Sequence, residues 1–295
     1  MASTSGRLTV AMLLAATVVA RSATVSQAAP EVTAPQVQPP AQVTAKADIR
    51  QSQKTRLTPG HLKSRTTAAS RPRVTAVASR SPLGVPGRWR QIFDDEFSGQ
   101  ALNTKLWVTH DGWTKQNRVT TLGKNVYVFG GQLHLVLSDA QHGSAIATAG
   151  SRTNFGLPVG GVAEASIYFP SNGSGACSNW PAWWVSGPKA PRAGEHDIAE
   201  VLGGRVSVVY HSPSGAHNKG TISGAFCGKW HSFGLHRMAH SAEVLLDGRV
   251  VKRYPTDDNG APECLILSHG AHLSPHTGLS NAVRVDFVRA WAPAS

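Results

Sequence analysis

From residue 89 to the C-terminus, apolar positions recur in short runs broken by Gly, Pro, Asn and Asp. The runs cover 132–137, 162–169, 180–185, 196–202, 206–211, 242–246, 264–267 and 284–290. Many alternate, as Leu133, Leu135 and Leu137 do, which puts those side chains on one face of a strand. Asp247-Gly248 lies between two such segments and signals a tight hairpin. Few windows keep apolar residues at helical spacing for about ten positions. The pattern predicts an all-β fold built as an antiparallel sandwich over 89–295.

Upstream the pattern changes twice. A positive start ending at Arg7, an apolar stretch over 8–20 and the small residues Ser26-Gln27-Ala28 follow the order of a secretory signal, with cleavage expected after Ala28. The apolar stretch falls short of the roughly 20 residues that span a bilayer, and Arg21 closes it, so no membrane insertion is expected. Residues 29–88 are rich in Pro, Thr, Ala, Gln, Ser and Arg, and 29–85 hold no aromatic residue or apolar period. Such a segment cannot bury enough surface to offset its chain entropy and reads as a disordered basic linker.

Net charge divides at the same boundary. The whole chain carries +12, of which residues 1–88 hold +10 and residues 89–295 only +2. A nucleic-acid partner, which the total would favour, therefore has no support in the folded region. After cleavage the linker keeps +8, enough to motivate a tether to anionic cell-wall polymer. Cys177, Cys227 and Cys264 lie in the exported part and allow one disulfide and one free thiol, in any of three pairings. They are too dispersed for a zinc site, the histidines show no metal-ligand spacing, and no nucleotide or redox motif occurs.

Acidic residues are sparse in 89–295, so three within six positions stand out: Glu195, Asp197 and Glu200, in Gly194-Glu195-His196-Asp197-Ile198-Ala199-Glu200-Val201. On a strand Glu195 and Asp197 share a face, whereas Glu200, five positions from Glu195, would take the other. A one-residue bulge at Ile198 or Ala199 restores all three to one side. The glutamate Cα atoms would then be about 13 Å apart. Side chains reaching inward would bring the carboxyl groups within roughly 5 to 6 Å, a separation suited to a retaining glycosidase. Acidic clusters on strands also serve as solvated faces or calcium ligands. The nearby Trp180-Pro181-Ala182-Trp183-Trp184 favours sugar chemistry, because an indole stacks on the apolar face of a pyranose. Alternation puts Trp180 and Trp184 on one face and Trp183 in the core.

In order along the chain these residues resemble glycoside hydrolase family 16, in its laminarinase-like branch, over essentially all of 89–295. The acidic strand is similar to the family's GExDxxE segment. Phe93-Asp94-Asp95-Glu96-Phe97 with Leu106-Trp107, Gly131-Gln132-Leu133-His134-Leu135, Trp180-Pro181-Ala182-Trp183-Trp184, Trp230-His231-Ser232-Phe233-Gly234, Leu246-Asp247-Gly248 and 283–289 resemble its other landmarks. The resemblance implies a concanavalin A-like jelly-roll sandwich with a concave cleft. It implies Glu195 as nucleophile, Glu200 as acid/base and Asp197 as the assisting carboxylate, with Trp180, Trp184, His211 and Asn117 contacting substrate. It allows a structural calcium away from the cleft, near Asp286, and no other cofactor. Three positions depart from the family. His196 replaces an apolar residue facing the core and needs a buried partner; Ser166 stands where a cleft arginine is common; Val119 replaces a glutamate.

The expectation is a secreted, retaining endo-glycosidase, monomeric, that cleaves β-1,3 or mixed β-1,3/1,4-glucan by double displacement. The alternatives are action on another polysaccharide of galactan type, transglycosylation, and non-catalytic carbohydrate binding.

Overall fold

The computed structural model describes residues 81–113, 119–188, 190, 193–215, 217–272 and 274–295. The expected leader, all of the expected linker up to residue 80, and Asn117 lie outside the described residues. In chain order the strands are β1 (Trp89–Asp95), β2 (Val108–Thr109), β3 (Thr120–Thr121), β4 (Val126–Phe129), β5 (Gln132–Leu135), β6 (His142–Ala147), β7 (Val162–Tyr168) and β8 (Trp180–Ser186). They continue as β9 (Glu195–Leu202), β10 (Arg205–His211), β11 (His217–Thr221), β12 (Trp230–Arg237), β13 (Ser241–Leu246), β14 (Arg249–Pro255), β15 (Cys264–Gly270) and β16 (Val283–Pro293). Among the described residues no helix is long and apolar enough to cross a membrane.

Two eight-stranded sheets form the sandwich. One runs β14-β13-β12-β7-β16-β5-β4, with β1 on β16; the other runs β11-β10-β9-β8-β15-β6-β2, with β3 on β6. The pairings are antiparallel except β3 with β6. Alternation explains the layering: Leu133 and Leu135 on β5, Ala163, Ala165 and Ile167 on β7, and Val283, Val285 and Val288 on β16 point inward. They meet Trp183, Val185, Ile198 and Leu265 from the facing sheet. Trp183 is completely buried and its Nε1 donates to the Phe233 carbonyl at 3.2 Å. Burial of a side chain of that class stabilises the fold by roughly 2 to 3 kcal/mol, and the bond satisfies its one polar atom.

Turns fix the registers. At Asp247-Gly248 both residues have positive φ, 49° and 75°, as the expected two-residue hairpin requires. Gly203-Gly204 does the same between β9 and β10, with φ of 57° and 79°, and pairs Leu202 with Arg205. Packing reaches upstream of Trp89, the expected start of the domain. Val85 is 8% exposed among Val162, Leu245 and Trp291, and the Leu83 N–H donates to Glu164 Oε2 at 3.0 Å. Two apolar residues in a polar stretch are too few to register as a hydrophobic pattern, yet they cover part of a sheet face.

The disulfide joins Cys177 to Cys227, with Cα atoms 5.0 Å apart and the two cysteines 50 positions apart in sequence. Cys264 is free and its thiol donates to the Ser186 carbonyl at 3.2 Å. The cross-link ties the segment before β8 to the segment before β12. Closing a loop of that length restricts the unfolded chain, so reduction should lower the unfolding free energy by about 3 to 4 kcal/mol. Chemical denaturation with and without reductant checks this, and a midpoint that does not move would contradict it.

Candidate active site

β9 carries the acidic residues between β8 and β10 at the centre of its sheet. Trp184 pairs with Asp197 but Trp183 with Ala199, and Val209 pairs with Asp197 while Ser207 pairs with Glu200. One extra residue is thus accommodated at Ile198–Ala199, both fully buried in the core. This bulge corrects the parity that would have separated the carboxylates. Glu195, Asp197 and Glu200 all face away from the core, while Val201 points inward, completely buried.

The three carboxylates have different surroundings. Glu195 is half-buried, with Oε1 3.7 Å from His211 Nε2. Asp197 is 5% exposed, and its Oδ2 lies 3.1 Å from the same His211 nitrogen. His211, on the neighbouring strand β10, is held above its ordinary pKa mainly by the hydrogen bond to Asp197, partly opposed by burial. Glu200 accepts a hydrogen bond from Trp180 Nε1 at 2.7 Å. Burial, and then the negative charge of Asp197, push the Glu200 pKa up to about 7, while the Trp180 bond pulls the other way. One carboxyl group therefore keeps its proton near neutrality beside others on the same face. That is the division of labour an acid and a nucleophile need.

The aromatic side chains divide as alternation predicts. Trp180 and Trp184 are partly exposed on the carboxylate face, and Trp184 Nε1 reaches Ser268 Oγ at 3.4 Å. Trp113 stacks on Trp184 with ring centroids 5.7 Å apart and planes at 24°. Sequence reasoning missed Trp113; its signal was a lone tryptophan in a polar loop shortly before Asn117. Removing the Trp180 N–H has a signed consequence. Trp180→Phe should raise the Glu200 pKa further, moving the alkaline limb of activity up by as much as about one pH unit. A pH–rate profile that stays in place would show that this bond does not tune the acid.

His196 has the partners that its position demands. It is completely buried behind the site, with Nδ1 2.9 Å from Tyr254 Oη and Nε2 3.4 Å from Glu263 Oε1 and 3.9 Å from Asp258 Oδ2. Arg237 closes the cluster at 2.7 Å from Asp258 and 3.3 Å from Glu263. Burial alone would lower the His196 pKa, but Asp258 and Glu263 outweigh it and hold it above the ordinary value. The interior thus sets two carboxylates against one guanidinium and an imidazole whose proton affinity those carboxylates raise.

One expectation needs correction. Ser166 lies on β7 in the opposite sheet, and its neighbours Ala165 and Ile167 point into the core, so its side chain faces away from the carboxylates. Alternation gives the face of a strand but not the sheet that receives it.

No family model matches the sequence, and no curated protein matches it. Solved structures share the fold. An endo-β-1,3-glucanase from Pyrococcus furiosus is 22% identical over 72% of this chain and 99% of its own, with a TM-score of 0.59. An endo-1,3-β-glucanase from Streptomyces sioyaensis is 21% identical over 74% and 100%, with a TM-score of 0.59. The laminarinase from Rhodothermus marinus is 20% identical over 70% and 99%, with a TM-score of 0.60. The sandwich is a jelly roll of the kind these glucanases use. Likeness at this level of identity establishes the fold, and the chemistry has to be argued from the site.

Proposed function

We propose that the chain is a retaining endo-β-glucanase acting on β-1,3 or mixed β-1,3/1,4-glucan outside the cell. The observation that carries this reading is the bulged strand. It gathers Glu195, Asp197 and Glu200 on one face and leaves Glu200 protonated near neutrality.

In the first step the Glu195 carboxylate attacks the anomeric carbon, the glycosidic C–O bond breaks, and the Glu200 proton passes to the leaving oxygen. In the second step Glu200, now a carboxylate, takes a proton from water as the water oxygen bonds to that carbon and Glu195 departs. Asp197, hydrogen-bonded to His211, lies on the same face as Glu200, and its charge is the second cause that raises the proton affinity of Glu200 for the next turnover. Trp113, Trp180 and Trp184 supply rings beside the carboxylates on which pyranose faces can stack. The names of the structural neighbours favour glucan, the leader supports export, and the basic linker supports retention on anionic wall polymer. Reducing-end release from laminarin, lichenan, agarose and xyloglucan tests the assignment. Release from laminarin or lichenan is expected, and release confined to agarose or xyloglucan would overturn the glucan assignment.

A further inference from the structure

The sheet opposite the acidic strand has an outer face of its own. Register across five of its strands pairs Trp230 on β12 with Tyr168 on β7, Tyr168 with Arg284 on β16, Arg284 with His134 on β5, and His134 with Tyr127 on β4. Alternation turns these side chains outward, because their chain neighbours Ile167, Val283, Val285, Leu133 and Leu135 belong to the core. Four strand spacings of about 4.8 Å make the row roughly 19 Å long. Trp230 is 37% exposed at one end, and Tyr127 and Phe129 are 45% and 39% exposed at the other. Among the described residues no other aromatic side chain is that exposed. The rings most open to solvent are therefore gathered on the face away from the carboxylates.

Contacts within the row hold it in place. The Arg284 guanidinium lies 3.8 Å from the centre of the Tyr168 ring and 5.4 Å from that of Trp230, and those two rings are 5.9 Å apart. Phe129 stacks on His134 at 3.9 Å with planes 6° apart. Burial, and further the Arg284 charge, hold the His134 pKa below its ordinary value, so the row carries one cation. Along β12 and β7 the next outward positions are Ser232 and Ser166, which limit the band to a narrow strip. The strip thus has a station of exposed rings at each end and a guanidinium between them.

Shape and charge select the occupant. A long, narrow strip is the footprint of an extended chain, whereas a folded partner needs about 800 Å² on each side. An extended peptide adds at a sheet edge through main-chain hydrogen bonds, and this strip lies on a face. Single-stranded nucleic acid calls for cations that track its backbone, and the strip has one. The basic chain upstream of residue 81 joins the domain on this same face, where the Leu83 N–H meets Glu164, but Arg284 repels it. A neutral, hydroxylated chain of sugar rings fits: indole and phenyl faces stack on the apolar face of a pyranose, and guanidinium N–H groups donate to its hydroxyls. We propose that this row is a second glucan-holding surface, separate from the cleft, that seats one polysaccharide strand across Trp230, Arg284 and the Tyr127–Phe129 pair; the choice of glucan rests on the glycosidase reading above. A strand held there raises the local concentration of substrate for the cleft and leaves the chemistry unchanged.

Retention on insoluble β-1,3-glucan separates the two faces. Binding is measured with full-length Glu195→Gln, so that nothing is cleaved, in about 1 M salt, which screens the basic linker. A saturating β-1,3-linked glucose disaccharide fills the cleft and is too short to span the row. Adding Trp230→Ala or Tyr127→Ala should weaken retention about tenfold each. These exposed positions lie at opposite ends of the row, so a folding failure of one leaves the other informative. With Glu195 intact, each substitution should lower kcat/KM on insoluble glucan several-fold and leave it within about twofold on a short soluble β-1,3-oligosaccharide. Unchanged retention, or equal losses on both substrates, would overturn the surface. So would a wild-type dimer that either substitution dissolves, or faster proteolysis of the basic linker in the variants with retention intact, because these results seat a second copy or the linker on the row. Row-dependent retention by a protein that cleaves no glucan would remove the glycosidase reading and leave the surface standing.

Discussion

Glu195→Gln is expected to lower kcat on glucan by roughly 10⁴-fold or more, about 5.5 kcal/mol of transition-state stabilisation, while leaving oligosaccharide affinity within a few-fold of wild type. The amide matches the carboxylate in shape, so a half-buried side chain 3.7 Å from His211 can be replaced without opening the core. What is lost is the nucleophile, since an uncharged amide oxygen does not form the glycosyl ester on which the second step depends. The melting temperature should move by only a few degrees, because the substituted group bears on solvent. A non-catalytic sugar-binding protein would bind equally well with either residue and show no turnover to lose. Undiminished sugar release from Glu195→Gln would therefore remove this residue from the mechanism.

Replacing Glu200 has a different signature. The free enzyme needs Glu200 protonated, and its pKa near 7 implies that wild-type kcat/KM falls as pH rises through about 7. Glu200→Gln should remove that limb and lower glucan turnover by roughly 10² to 10⁴-fold. A β-glycosyl fluoride should suffer much less in the first step, since fluoride leaves with little proton help. The sign follows from the causes: burial and the Asp197 charge both disfavour the carboxylate, so weakening either shifts the limb to lower pH. Asp197→Asn is informative in the same profile, because it removes the second largest cause while Glu200 remains. A limb that persists in Glu200→Gln would assign the titration to another group.

The central part of the sandwich could be read from sequence because its inward positions are Leu, Val, Ile and Trp on a period of two. Strands β7, β8, β9, β10, β13, β15 and β16 fall where the alternation predicts them. Among the segments that the runs passed over are the short β2, β3, β4 and β11, and β1, where Arg90, Asp94 and Asp95 break the apolar period. There pairing comes from neighbouring strands rather than from local hydrophobicity. The bulge could be inferred because parity and chemistry disagreed over Glu200, and only an inserted residue reconciles them. His196 could be identified as needing a partner. The partners themselves could not, since Tyr254 is 58 residues away and the Arg237, Asp258 and Glu263 cluster forms only when β9, β12 and the segment before β15 meet. A cavity at the Gly203-Gly204 turn was hidden for the same reason: three separate loops build it from residues that carry no periodic signal.

The most direct measurement is to incubate the protein with a 2-deoxy-2-fluoro glycosyl fluoride of a β-1,3-linked glucose disaccharide and map the labelled peptide by mass spectrometry. The predicted result is a single adduct on Glu195, accumulating because the second step is slowed, and absent in Glu195→Gln. An adduct on Glu200 or Asp197, or glucan hydrolysis with inversion at the anomeric carbon and no adduct, would contradict the assignment.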